Sequence, residues 1–277
     1  MRFPRFRAFR AELRRFSLAT LTAMALHLAL EVGDPSQALA APSTAEMTQM
    51  LQVVDDRQEN NGDYKSLVYL EQKEQGKADL VYQVAVYRRD LDDKLVLLFL
   101  MPKEQAGQGY LRVENNLFFY DPSVGKWERR TERERIGGTD SNRQDFDQSR
   151  LHEEYTPTFV AEEKLGSYTV NHLLLTATVE ADVAYPVVHL WLDKATGNML
   201  KRQDLALSGK LMRTLLYPKW EKAFSQSKQA DVYYAREIRI FDEIQKGNQT
   251  TVVIQSLDLN TLDDSIFTKA WLESKSR

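Results

Sequence analysis

The chain has 277 residues and not one cysteine. That single absence excludes disulfides, thiolate metal sites and cysteine nucleophiles. It also argues against a lipid anchor on this chain, since a bacterial lipoprotein needs a cysteine after its signal. Histidine is scarce: beyond residue 40 there are only His152, His172 and His189. None belongs to an H-E-x-x-H motif, and no two have the spacing of a zinc site. A strong charge of one sign is missing too, the net charge being −3. So is a membrane-length apolar run: the uncharged stretch 16–30 is short of the ~20 residues a spanning helix needs.

The short run has a different meaning. Arg2, Arg5, Arg7, Arg10, Arg14 and Arg15 precede it, and Ala38-Leu39-Ala40 follows it. A basic segment, an apolar segment and an A-x-A site read as a secretory signal peptide over 1–40. The alternative is a transmembrane anchor. Cleavage would remove six arginines and three acids and move the net charge from −3 to −6. A mildly acidic chain is a poor binder of phosphate backbones, so no nucleic acid is expected. The remaining 41–277 is expected to be one domain in the periplasm, held by its core alone.

Most of that domain reads as strand. Residues 44–58 carry an apolar stripe at helical spacing (Met47, Met50, Leu51, Val54) behind a Ser43 or Thr44 cap. Period-two segments then follow at 64–73, 79–89, 95–101, 110–114 and 117–120, with Trp127 opening another. They resume at 158–163, 168–180, 187–193, 199–207, 211–220, 236–243 and 250–259. Turn residues such as Asp121-Pro122-Ser123-Val124-Gly125 separate them. The expectation is a mainly β domain of about eleven strands in antiparallel order, with 44–58 as a helix in front and 266–274 as a closing helix. The polar stretch 139–155 breaks the rhythm and suggests a short helix. Leu95 to Met101 has no polar residue on either face, so both faces need cover. A helix over one face and a cavity on the other would supply it; so would protein on both.

The chain offers little chemistry. There is no G-x-S-x-G elbow, phosphate loop or dinucleotide fingerprint. Glu153-Glu154 and Glu162-Glu163 are adjacent carboxylates, but neighbours on a strand point to opposite faces and make no dyad. Asp140, Asn142 and Gln144 hint at a calcium loop, yet Asp145 stands where that loop needs glycine. No enzyme activity and no cofactor are expected. An exported, all-β domain rich in aliphatic strand faces suggests a carrier of apolar ligands.

Four stretches carry a resemblance: "KLVLLFLMPKEQAGQGYLRVENNLFFYDPSVGKWERR" (94–130), "LWLDKATGNMLKRQDL" (190–205), "REIRIFDEIQKGNQTTVVIQSLDLN" (236–260) and "LDDSIFTKAWLE" (262–273). Their order of hairpin, D-x-x-T/S-G turn, I-x-I-x-D strand and terminal D-x-x-F-T segment resembles the LolA-like outer-membrane lipoprotein-sorting proteins. That resemblance implies an open barrel whose helices cover an apolar cavity. It implies lipoprotein acyl chains or another lipid as cargo. It also implies an inner-membrane ABC-type releasing complex and an outer-membrane acceptor as partners. The strand faces then nominate Leu95, Leu97, Phe99, Leu117, Phe119, Val188, Leu190, Leu192, Ile238 and Ile240 as lipid-binding lining. The charged segment after Trp127, up to Asp147, is expected to be a solvated flap at the mouth. Two other readings stay open: a non-catalytic interaction or envelope-sensing module on the same fold, and a hydrolase using Glu153 or Glu162.

Overall fold

The computed structural model describes residues 41–113, 116–131 and 135–276. The leader expected over 1–40 lies outside these residues, as does the centre of the charged run at 132–134. Among the described residues no helix is long and apolar enough to cross a membrane.

Helix α1 (Thr44–Gln58) begins at a reciprocal cap: Glu46 Oε2 accepts from the Ser43 backbone at 2.7 Å, and Ser43 Oγ accepts from the Glu46 backbone. This pairing satisfies two donors that the first turn would otherwise leave bare. Met47, Leu51 and Val54 form its buried stripe. A run of hairpins follows: β1 (Asp63–Lys73), β2 (Leu80–Arg89), β3 (Lys94–Met101), β4 (Gly109–Val113), β5 (Asn116–Asp121) and β6 (Lys126–Arg130). A second run comprises β7 (Tyr155–Leu165), β8 (Tyr168–Ala177), β9 (Val187–Asp193), β10 (Met199–Leu205), β11 (Leu211–Ser225), β12 (Ala230–Asp242) and β13 (Gln249–Asp258).

The two runs share one sheet in the order β6-β5-β4-β3-β2-β1-β13-β12-β11-β10-β9-β8-β7, with thirteen strands rather than about eleven. Every neighbouring pair is antiparallel. β6 and β7 are the free edges, so the barrel is not closed. The sheet is nevertheless strongly curled, because Arg112 on β4 and Arg213 on β11 bind Asp147 and Asp145, which are close neighbours in the chain, despite the strands between β4 and β11. The pleat sends alternate residues of each strand into an inner core. Val84 and Val86, Leu95 and Leu97, Leu173 and Leu175, and Val188 and Leu190 are all fully buried there.

The uniformly apolar strand has its explanation in this layering. Leu95, Leu97 and Phe99 face the inner core. Val96 and Leu98 face a separate outer cluster with Ala85, Leu111, Phe267 and Leu272. The closing segment, a 3₁₀ turn at Asp264–Phe267 followed by α3 (Lys269–Lys275), covers this outer face. The C-terminal helix therefore sits on the opposite side of the sheet from α1. Trp127 joins it there, donating from Nε1 to Glu273 Oε1 at 2.7 Å.

The topology also decides the path of the charged segment. Its chain must leave one free edge at β6 and reach the other at β7. It makes that crossing along the inside of the curl. Ile136, Thr139 and Ser141 are fully buried, and Asn142, Asp140 and Phe146 nearly so. Gly137 presses on the Phe99 ring, where an added Cβ would come within 2.7 Å. The expected solvated flap is thus corrected: residues 136–147 form a buried strap. It consists of two 3₁₀ turns, Ile136–Gly138 and Arg143–Asp145, and leads into the short helix α2 (Leu151–Glu154). Polar residues can occupy this position because ion pairs from the barrel wall meet them.

Candidate functional site

Between the strap and the wall of β1, β2 and β10–β13 lies a chamber of about 490 Å³. One side is aliphatic: Val68, Val86, Leu215, Val252 and Ile254 come from inward positions on four strands. The other side is charged, because the strap and the residues after it contribute Arg143 to Leu151, Glu153 and Glu154. A smaller hollow on the far side of the strap is bounded by Gln105, Tyr110, Phe119, Arg135 and Gly137.

The strap is held by a chain of ion pairs. Arg213 grips both oxygens of Asp145, at 2.7 and 2.8 Å. Its Nε donates to Asp204 at 2.6 Å, and Arg202 Nε donates to the other Asp204 oxygen at 2.5 Å. Arg112 holds Asp147 at 3.0 Å, and Arg135 holds Asp242 at 2.5 Å. Thr250 Oγ1 accepts from the Asp140 backbone and donates to its carboxylate. Asp204 has no solvent exposure, and Arg213 only 3 %. Burial raises the Asp204 carboxyl, but Arg202 and Arg213 outweigh it and hold the group below the ordinary carboxylate range. At Asp147 burial prevails over Arg112 and Arg143, and the carboxyl is raised. Burial likewise raises Glu154, which lines the chamber near Arg202.

The ten nominated lining residues come together, but only Ile238 among them reaches the chamber. Leu95, Leu97, Phe99, Leu117, Val188, Leu190, Leu192 and Ile240 belong to the packed inner core, with Phe119 and Ile238 against it. Ile238 reaches the chamber and Phe119 the smaller hollow. An aromatic ladder crosses β2 to β5 on this face: Tyr82 to Phe99 at 6.0 Å, Phe99 to Tyr110 at 6.3 Å and Tyr110 to Phe119 at 4.9 Å. The sequence reading missed the charged members, Arg202, Asp204 and Arg213. Their signal was available: Arg213 shares a strand face with Leu215 and Tyr217, a cation inside an apolar alternation.

The histidines lie elsewhere. His172 and His189 point outward, His172 Nε2 lying 2.8 Å from His189 Nδ1, with Glu163 3.3 Å from His172 Nδ1. Trp191 stacks on the His172 ring at 4.1 Å. Burial lowers both imidazoles from their ordinary value. His152 sits at the strap's end, its Nδ1 2.8 Å from Asp55 of α1. Among the described residues no group of three metal-ligating side chains forms.

An antiparallel, open, strapped barrel with an internal chamber can be compared with known proteins. A family model described only as an uncharacterized protein matches residues 91–274. The chain belongs to that family. Its fold is LolA-like. A LolA superfamily protein from Nitrosomonas europaea superposes with a TM-score of 0.69 at 20% identity, over 83% of this chain and 100% of the other. A domain named for outer membrane lipoprotein sorting, from Vibrio parahaemolyticus, gives 0.71 at 18%, with the same 83% and 100% coverage. A DUF1329 family protein from Desulfovibrio piger gives 0.71 at 16%, again over 83% and 100%. No curated protein matches the chain.

Proposed function

We propose that this protein is a non-catalytic periplasmic carrier that shields lipoprotein acyl chains, or another lipid, and delivers them toward the outer membrane. The observation that carries the reading is the chamber: about 490 Å³ of space with an aliphatic wall, inside a curled sheet. Removing acyl chain from water is worth about 0.8 kcal/mol per CH₂, so even a partial fit is favourable. Val68, Val86, Ile238, Val252 and Ile254 would hold the chain. The other nominated residues extend the same apolar surface beneath the strap and would become lining when the strap yields. Likeness to a domain named for lipoprotein sorting supports the carrier reading. An inner-membrane ABC-type releasing complex and an outer-membrane acceptor are the partners such a carrier would need.

Native mass spectrometry of the protein purified from its own periplasm tests this. A bound lipid released on denaturation is the expected result. No lipid there, together with no uptake of an apolar fluorophore in vitro, would refute it.

A further inference from the structure

The chamber has a polar pole as well as an apolar wall, and that pole specifies a ligand head. Arg202 lines it while 8 % exposed. Its one carboxylate contact among the described residues, Asp204, is shared with Arg213. Arg213 needs no help from Arg202's partner, since it already has both oxygens of Asp145. Arg202 Nη2, by contrast, is buried with no hydrogen-bond partner among the described residues. A guanidinium carries five donors in a planar fork that matches carboxylate and phosphate oxygens. A buried donor left without an acceptor is costly, so a ligand that supplies one gains specificity.

Two neighbours reinforce this. Tyr217 lines the chamber close enough to Arg202 to feel its charge, and burial keeps its hydroxyl protonated and able to donate. Glu154 also lies near, its carboxyl raised by burial, but among the described residues Arg202 pairs with Asp204 and not with it. The aliphatic wall of Val68, Val86, Val252 and Ile254 adjoins this pole within one chamber. Its volume of about 490 Å³ falls in the lower half of the ~300–1,000 Å³ range of small-ligand sites, which suits one chain rather than several.

We propose that the chamber takes a single-chain amphiphile with an anionic carboxylate or phosphate head, its oxygens accepting from Arg202 and Tyr217 and its chain lying on the aliphatic wall. This rests on the reading of the chamber as a lipid site. It adds the head group and the number of chains, and so selects another lipid over the several acyl chains of a lipoprotein.

The experiment is a fluorophore-displacement titration of the purified, delipidated protein with four probes of one chain length: dodecanoate, dodecyl phosphate, dodecanol and dodecyltrimethylammonium. At least one anion should bind about tenfold or more tighter than dodecanol, as expected for one charge-assisted contact, and the cation weakest. Preference between dodecanoate and dodecyl phosphate distinguishes a carboxylate head from a phosphate head. Arg202→Gln should bring the anions to the level of dodecanol without weakening dodecanol. Tyr217→Phe, which leaves the ion pairs intact, should weaken the anions alone, so the test stands if Arg202→Gln fails to fold. Equal affinity for all four probes would overturn the head assignment and leave the lipid chamber standing. No binding of any probe would remove the reading on which it rests.

Discussion

Asp204 is where the interior is most exposed to a single change. It has no solvent contact and accepts from Arg202 and Arg213 at 2.5 and 2.6 Å. Asp204→Asn keeps the shape and removes the charge. Arg213 remains compensated by Asp145, but Arg202 loses the only carboxylate contact it has among the described residues. Breaking a buried pair by neutralising one partner costs about 3–5 kcal/mol. For a domain of this size that is roughly 6–20 °C in Tm. The same reasoning predicts recovery. With Arg202→Met added, no uncompensated guanidinium remains, and at least half of the loss should return. Urea melts of the two single variants and the double complete the cycle. Acid adds a signature. Because the folded Asp204 carboxyl lies below its unfolded value, its stabilisation is present above pH ~4 and is lost as pH falls through the folded value. In the asparagine variant that part of the acid sensitivity should vanish. A loss under about 1 kcal/mol, or no recovery in the double variant, would mean that chamber water already solvates Arg202 and would refute the argument.

Phe99 is 1 % exposed and wedged among Tyr82, Tyr110 and Gly137. Phe99→Ala should therefore cost about 3–5 kcal/mol in a chemical melt; a cost near 1 kcal/mol would place it against empty space. Gly137→Ala meets the same ring from the other side at a positive φ of 60°, and should lower the Tm while Gly125→Ala, also at positive φ but facing open space, lowers it less. Ile238→Asn should leave the fold intact and weaken lipid binding by about tenfold, as for an unpaired amide against an acyl chain; unchanged affinity in a titration would take Ile238 out of the site. The folded imidazoles of His172 and His189 lie below their unfolded value, so the unfolded chain binds more protons and stability falls as pH drops below about 6.5. The double variant His172→Gln/His189→Gln should lose less Tm than the parent between pH 7.5 and 5.5, and equal losses would contradict the assignment.

Local order was legible in the sequence because it depends on near neighbours. The helical stripe of Met47, Leu51 and Val54 behind Ser43 located α1 at its observed bounds. Alternation and turn residues located the strands, and the two-faced apolar run 95–101 announced a strand covered on both sides. Where alternation weakens, the reading weakens with it. Strand β6, with five residues, showed only as an opening at Trp127, with no end marked. The register shifts between Leu216 and Trp220 hid the outer part of the β11–β12 hairpin by changing which face each residue takes.

What the tertiary structure alone decided concerns residues far apart in the chain. Only the strand order reveals that β6 and β7 are opposite free edges, and only the burial of residues 136–147 shows that this stretch runs through the interior. Its charges read as solvated because their partners, Arg213, Arg112 and Asp242, lie on other strands, 107 residues away in the case of Arg135 and Asp242. Likewise the ten apolar residues assigned to a cavity share one face as the pleat requires. Whether that face meets a chamber or the strap depends on where residues 136–147 fold, and no local pattern encodes that. Covalent neighbours determine secondary structure and facing; the difference between a wall and a core lies in what a distant segment is placed against it.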